Sequence, residues 1–308
     1  MLINILLLVI GFVLLIKGAD YFVDGASALA ERLKIPAIII GLTVVAMGTS
    51  APEAAVSISS ALAGSNAIAI GNVLGSNIAN IFLILGVTAI ITTLTVQKNT
   101  VHFEIPFMIF ITLLLCGIGW EHSMISRIGA GLLLGLFVLF LGYLFIVARG
   151  NTDTDTRIKQ ITKTKIALFI IFGMAALIFG SKITVLSAVD IAQYIGISER
   201  VIGLTVVAFG TSLPELVTSI IAARKGESDI AIGNIVGSNI FNILFVLGIA
   251  GMILPIPFNA EFLFDGAFAI LAAILLLLFT YKHKKLGKTS GCVFLVIYII
   301  YITILTTQ

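Results

Sequence analysis

The segment GLTVVAMGTSAPE, Gly41 to Glu53, is written a second time as GLTVVAFGTSLPE, Gly203 to Glu215. The offset is 162 residues, from 41 to 203, and it also carries GNVLGSNIAN (Gly71–Asn80) onto GNIVGSNIFN (Gly233–Asn242) without a gap. Between Gly41–Gly86 and Gly203–Gly248 well over half of the positions are identical, and Gly11 and Gly18 fall on Gly173 and Gly180 at the same offset. A duplication of this kind predicts two related halves in one chain. Each copy sets a carboxylate, several hydroxyls, an amide and a proline into apolar sequence. Polar groups placed that way are costly, and they point to a functional site.

The apolar background dictates the solvent. Of 308 residues, 59% are hydrophobic and 11% charged, with a mean hydropathy of +1.19. A soluble domain of this size cannot hide that much apolar surface. The expectation is an all-α integral membrane protein with ten transmembrane helices. The spans fall at approximately 2–24, 37–62, 67–92, 101–119, 124–148, 166–188, 200–223, 229–253, 261–281 and 290–307. The first lacks a basic leader before it and a small-residue cleavage site after it, and reads as a retained span. The longest polar connection, Arg149 to Lys165, is too short to fold as a domain. No basic patch with interleaved aromatics is present, so nucleic acid is not an expected partner. Cys116 and Cys292 lie in apolar runs and read as buried bystanders.

Lysine and arginine set the orientation. Connections after odd-numbered spans carry Arg32, Lys34, Lys98, Arg149, Arg157, Lys159, Lys163, Lys165, Arg224, Lys225, Lys282, Lys284, Lys285 and Lys288, whereas those after even-numbered spans carry Arg127 and Arg200. The basic connections are therefore expected in the cytoplasm and both termini outside. Five spans separate each motif from its copy, and five is odd. The second copy must then run opposite to the first, which makes two inverted-topology repeats of five helices, with the site near the midplane. The divisions are 1–148 for the first repeat, 149–165 for a short cytoplasmic linker and 166–308 for the second repeat.

On a helix, Ala46, Thr49, Ser50 and Glu53 lie at i, i+3, i+4 and i+7, one face, and Ala208, Thr211, Ser212 and Glu215 repeat it. Asn72, Ser76 and Asn80 form a second stripe, as do Asn234, Ser238 and Asn242. Pro52 and Pro214 offer no N–H and crowd the carbonyls of Gly48 and Gly210, so each helix is expected to kink. Carbonyls nearby, including those of Ala46 and Ala208, are expected to lose partners. Hydroxyls, amide oxygens, carbonyls and two carboxylates make an all-oxygen set suited to hard cations such as Ca²⁺ and Na⁺. With no Cys or His near, zinc and copper are disfavoured. One Ca²⁺ neutralises the acid pair, and so do two Na⁺ or two protons, so competition for the pair is a physical route to antiport.

GTSxPE followed by GNxxGSN, present twice, resembles the two alpha-repeats of the calcium/cation antiporter superfamily, and within it the sodium/calcium exchangers of prokaryotic type. The resemblance implies that Glu53 and Glu215 are the central ion ligands. It implies that Thr49, Thr211, Ser50, Ser212, Ser76, Ser238, Asn80 and the carbonyls of Ala46 and Ala208 line the ion sites. It also implies exchange by alternating access, with the first and sixth spans sliding over the core, and no cofactor. Some relatives, including the potassium-dependent exchangers, carry Asp where this chain has Asn242. With Asn the site has one acid fewer, which argues against potassium co-transport. Proton-coupled members usually show GNAxE where this chain has GTSxPE, which favours sodium.

The expected function is a multi-pass antiporter in the plasma membrane, exchanging Ca²⁺ for Na⁺ and working as a monomer. The alternatives are the same fold driven by H⁺, a cation channel using the same acids, and a membrane receptor that binds ions without moving them. No nucleotide motif or nucleophile constellation suggests an enzyme. Asn72 and Asn234 are candidates for bridging helices rather than touching ions. The GxxxG spacings Gly71–Gly75 and Gly233–Gly237 are explained by close helix packing. Lys17 and Asp20 read as a local ion pair, with Asp24, Lys182 and Asp190 treated alike.

Overall fold

The computed structural model describes residues 2–150, 161–195 and 208–307. Apolar runs of the expected length become helices: α1 (Leu2–Leu33), α2 (Ala37–Thr49), α3 (Ala51–Leu62), α4 (Asn66–Ile91), α5 (Thr100–Glu121), α6 (Arg127–Gly150) and α7 (Lys163–Tyr194). Two short helices follow, α8 (Ala208–Thr211) and α9 (Leu213–Arg224). The chain continues as α10 (Ser228–Ile253), α11 (Ala260–Tyr281) and α12 (Lys288–Thr306). Eight of these are long and apolar enough to cross a bilayer, and α2 with α3, bent by 50°, makes a ninth among the described residues. The seventh expected span, 200–223, begins outside the described residues, as do Gly203–Val207 of its motif and the basic positions Arg157, Lys159 and Arg200.

Four strands of two residues each interrupt the helices. β1 (Leu94–Thr95) pairs antiparallel with β4 (Lys285–Leu286), and β2 (Met124–Ile125) with β3 (Ile256–Pro257). Each pair joins a connection of the first half to one of the second. Other contacts at the helix ends and connections sort the same way. Arg32 donates to the Ile161 carbonyl, Gln97 to Asp229 at 2.6 Å, and Ser27 to Glu227 at 2.7 Å. These gather at one end of the molecule with β1–β4. At the other end, with β2–β3, Arg127 donates to the carbonyls of Met252 and Ile253, and Asn66 to that of Leu254.

Burial separates a core from a shell. In their most apolar stretches, α4 is 72% buried and α10 83%, whereas the other long helices range from 17% to 39%. The outer faces of the shell are leucine, isoleucine, valine and phenylalanine, as a lipid-facing surface requires. The shell includes the longest pair, α1 and α7, of 32 residues each. At 1.5 Å per residue each runs about 48 Å, more than the thickness of the hydrocarbon core of a bilayer.

These two helices touch backbone to backbone in opposite directions. A Cβ on Gly18 would lie 2.9 Å from the Gly173 carbonyl oxygen, and one on Gly173 would lie 2.8 Å from that of Gly18. Gly11 and Gly180 meet in the same reciprocal way, at 3.1 and 3.0 Å. Gly11 thus pairs with the repeat of Gly18, and Gly18 with the repeat of Gly11. Only glycine allows this approach, which maximises dispersion contact where no hydrophobic effect drives association. Gly233 and Gly237 act likewise, seating α10 on the backbone of Gly41 and Leu42 in α2.

Two sequence expectations need correction here. Asp20 and Asp24 do not pair with Lys17. Both reach Lys225, beyond the end of α9, at 2.7 and 2.8 Å, and Lys225 also donates to the Asp20 carbonyl. Spacing within one helix reveals local pairs, and this pair is tertiary. Cys116 and Cys292 are free thiols, but neither is fully buried: Cys116 is half-buried, and Cys292 is exposed on an outward face of α12.

Candidate ion-binding site

The α2–α3 bend falls at Ser50, whose φ of −82° and ψ of 8° leave the helical region. Ser212, between α8 and α9, repeats it at −89° and 6°. Such bridge-region residues are common in functional sites. Pro52 and Pro214 sit in the first turn of α3 and α9, where a missing N–H costs nothing and the fixed φ starts the helix. The carbonyl that Pro52 leaves without an N–H is that of Gly48. Contrary to the sequence expectation, the Ala46 carbonyl keeps its partner, the Ser50 N–H at 3.0 Å. It is also approached by the Thr49 hydroxyl at 3.3 Å and the Ser238 hydroxyl at 3.4 Å. Ala208 opens the short helix α8.

The bends bring the two acids together at the centre. Glu53 and Glu215 are both fully buried. Each is served by a hydroxyl from the other half: Ser50 donates to Glu215 Oε1 at 2.8 Å, and Ser212 approaches Glu53 Oε1 at 3.4 Å. Ser76 reaches the same Glu53 oxygen at 3.4 Å and lies 3.3 Å from Ser212. Thr49, Ser50, Ser76, Ser212, Ser238, Asn80 and Asn242 are all buried, and Thr211 is half-buried. Asn72 and Asn234 take the bridging role. Asn72 donates to the Glu53 carbonyl and Ser57, and Asn234 to the Glu215 carbonyl and Ser219. Asn234 Oδ1 also accepts from Thr49 at 2.8 Å, tying the halves together.

Four buried oxygens here have no hydrogen-bond partner among the described residues: Glu53 Oε2, Glu215 Oε2, Asn80 Oδ1 and Asn242 Oδ1. Buried polar atoms are nearly always satisfied, so these four orphaned acceptors need a cation or water to complete them. Unsatisfied oxygen acceptors of this kind suit a hard cation. Among the described residues no group of three or more His, Cys, Asp or Glu is placed to hold a metal ion.

Sequence periodicity did not find two further features. In α4 and α10 the helix widens to a π-helical turn that begins at the site residue itself, Asn80–Leu85 and Asn242–Val246. Such turns recur at functional sites, because they shift side-chain phase and loosen backbone pairing. Asn77 and Asn239 are the second feature. Both are 2% exposed and bond across the seam between the halves. They stood inside the doubled GSN motif, so their repetition was the available signal. A search for one helical face passes over them.

A model of the sodium/calcium exchanger protein family matches residues 3–146 and 165–307. The chain belongs to this family. It is 41% identical to CaxA of Alkalimonas amylolytica over 315 residues, 98% of both chains. It is 40% identical to the inner membrane protein YrbG of Escherichia coli over 267 residues, 83% of this chain and 81% of that one. The structure of the sodium-calcium exchanger NCX_Mj superposes with a TM-score of 0.87 at 32% identity, covering 98% of both chains. This family member is therefore a multi-pass helical membrane protein in which the doubled motifs meet at one buried oxygen-rich centre.

Proposed function

We propose that the chain exchanges Ca²⁺ for Na⁺ across the plasma membrane by alternating access. The observation that carries the reading is the pair Glu53 and Glu215, fully buried, each with an orphaned oxygen, together with the orphaned amide oxygens of the buried Asn80 and Asn242. Their charge of minus two matches one Ca²⁺ or two Na⁺. Glu53, Glu215, Asn80 and Asn242 are the principal ligands. The hydroxyls of Thr49, Thr211, Ser50, Ser212, Ser76 and Ser238 and the carbonyls of Ala46 and Ala208 complete the sites. The name of NCX_Mj, a sodium-calcium exchanger, supports the choice of ions. Asn242 is neutral, and that supports a cycle without potassium.

The architecture in this reading is ten spans in two inverted repeats, 1–148 and 166–308, joined by a linker at 149–165. The reciprocal glycine contacts of α1 and α7 support it. So does the sorting of connections, since each contact between connections joins two of the same parity in the ten-span count. The basic connections face the cytoplasm and the termini lie outside. The first and sixth spans slide over the core. The working unit is a monomer in the lipid bilayer, and the ions are its substrates, with no cofactor.

The test is Ca²⁺ uptake into proteoliposomes loaded with Na⁺ and diluted into Na⁺-free buffer, beside K⁺-loaded and acid-loaded vesicles. The expected result is uptake that requires internal Na⁺. Uptake driven by the acid interior alone would move the coupling to protons. Conductance without a counter-ion would make the protein a channel.

A further inference from the structure

We propose that Asn77 and Asn239 are positioning residues that fix which atom of Asn242 and of Asn80 faces the ion; the inference rests on the ion site proposed above. A carboxamide offers an oxygen on one side and an N–H₂ on the other, and only the oxygen can hold a cation. Something must decide the orientation of each amide, and burial alone cannot.

The decision traces back to backbone carbonyls, which only accept. Asn239 donates to the Asn77 carbonyl at 3.2 Å, so the atom it turns there is Nδ2. Its Oδ1 is left on the other side, where it can only accept. Asn80 meets that oxygen at 2.9 Å and must present Nδ2 to it. The Asn80 oxygen is thereby turned to the site, where it has no partner. The second half repeats the logic. Asn77 donates to the Asn239 carbonyl at 3.2 Å, its Oδ1 accepts from Asn242 Nδ2 at 3.2 Å, and the Asn242 oxygen is left free. Two carbonyls thus set the oxygen and nitrogen of four amides. Each half orients the ligand of its partner half, since Asn77 serves Asn242 and Asn239 serves Asn80.

A simpler role would be a clamp that holds α4 against α10. The two roles separate when the ligand is made symmetric. A carboxylate has oxygens on both sides, so Asp at 242 needs no orienting partner. The experiment measures the Ca²⁺ concentration for half-maximal Na⁺-driven uptake in proteoliposomes, with N77A made in the natural Asn242 background and again with N242D.

In the Asn242 background, N77A is expected to raise half-saturation about tenfold with the maximal rate largely kept, the scale of one lost interaction with a charged group. In the N242D background one carboxylate oxygen faces Asn77 Oδ1, which can only accept, so N77A is expected to leave half-saturation unchanged or to lower it. An equal loss in both backgrounds would reduce Asn77 to a clamp and overturn the proposal, and so would unchanged affinity in the first. The mirror cycle, N239A with and without N80D, gives a second reading, with every protein first shown to be monodisperse. Failure of both N77A and N239A to fold would also overturn it. Glu53→Gln runs beside them. Retained uptake in that variant would sink the ion site itself, whereas its loss together with background-independent effects of N77A would sink only the positioning role.

Discussion

Glu53→Gln and Glu215→Gln are each expected to lower Na⁺-driven Ca²⁺ uptake by about 100-fold or more, while leaving the protein at least as stable in ion-free buffer. The two effects run in opposite directions for one reason. Each carboxylate is buried among hydroxyls that satisfy only one of its oxygens. Burying a charge so poorly solvated costs several kcal/mol, and in the absence of an ion the fold bears that cost. Glutamine removes the charge and relieves it. With Ca²⁺, the same change removes half of the compensating charge and turns an N–H₂ toward the cation. Breaking a buried charge pair costs about 3–5 kcal/mol, which is the source of the 100-fold figure. Uptake in proteoliposomes and melting in detergent, measured on the same preparations, check both halves. Uptake near the wild-type rate would remove the acids from the transport path.

Gly173→Leu, and its partner Gly18→Leu, are expected to be strongly destabilising changes in the shell. A Cβ on Gly173 falls 2.7 Å from the Phe22 amide nitrogen and 2.8 Å from the Gly18 carbonyl oxygen. Those are backbone atoms of a packed helix, which no rotamer change can move aside. Helices α1 and α7 must separate by more than an ångström along their shared face, forfeiting dispersion contacts that fall off steeply with distance. Overpacking of this kind costs about 3 kcal/mol or more. A melting temperature about 10 °C lower, or loss of the monodisperse peak, is the expected reading by fluorescence-detected gel filtration. Gly142→Leu, at a position where an added Cβ meets no neighbour within 4 Å among the described residues, is the control. Equal melting of all three proteins would mean that α1 and α7 do not pack through their glycines.

Much of this arrangement was legible before any coordinates. The apolar runs gave the helices, because span length is fixed by the bilayer and backbone satisfaction forbids other structures there. The doubled GTSxPE placed both acids, and Pro52 with Gly48 marked the bend, since proline chemistry acts locally. What escaped has a common physical character. The π-helical turns at Asn80 and Asn242 are changes of backbone hydrogen-bond phase, which carry no side-chain pattern. The Lys225 pairs with Asp20 and Asp24 join residues about 200 positions apart, beyond any helical spacing rule. The Ala46 carbonyl keeps its N–H because Pro52 deprives the carbonyl four residues before it, that of Gly48, and no other. Asn77 and Asn239 were visible in the repeat but lie off the stripe of Asn72, Ser76 and Asn80. Their role appears only when the two halves are docked.

Direct competition at the acid pair tests the account most closely. Equilibrium binding of radioactive Ca²⁺ to the purified protein in detergent, titrated with Na⁺ against a K⁺ control, is the measurement. The predicted result is displacement by Na⁺ with a Hill coefficient above one, because more than one Na⁺ replaces each Ca²⁺, and no specific Ca²⁺ binding in Glu53→Gln or Glu215→Gln. Ca²⁺ binding indifferent to Na⁺, or undiminished in both glutamine variants, would contradict the claim that the two ions compete for one pair of buried carboxylates.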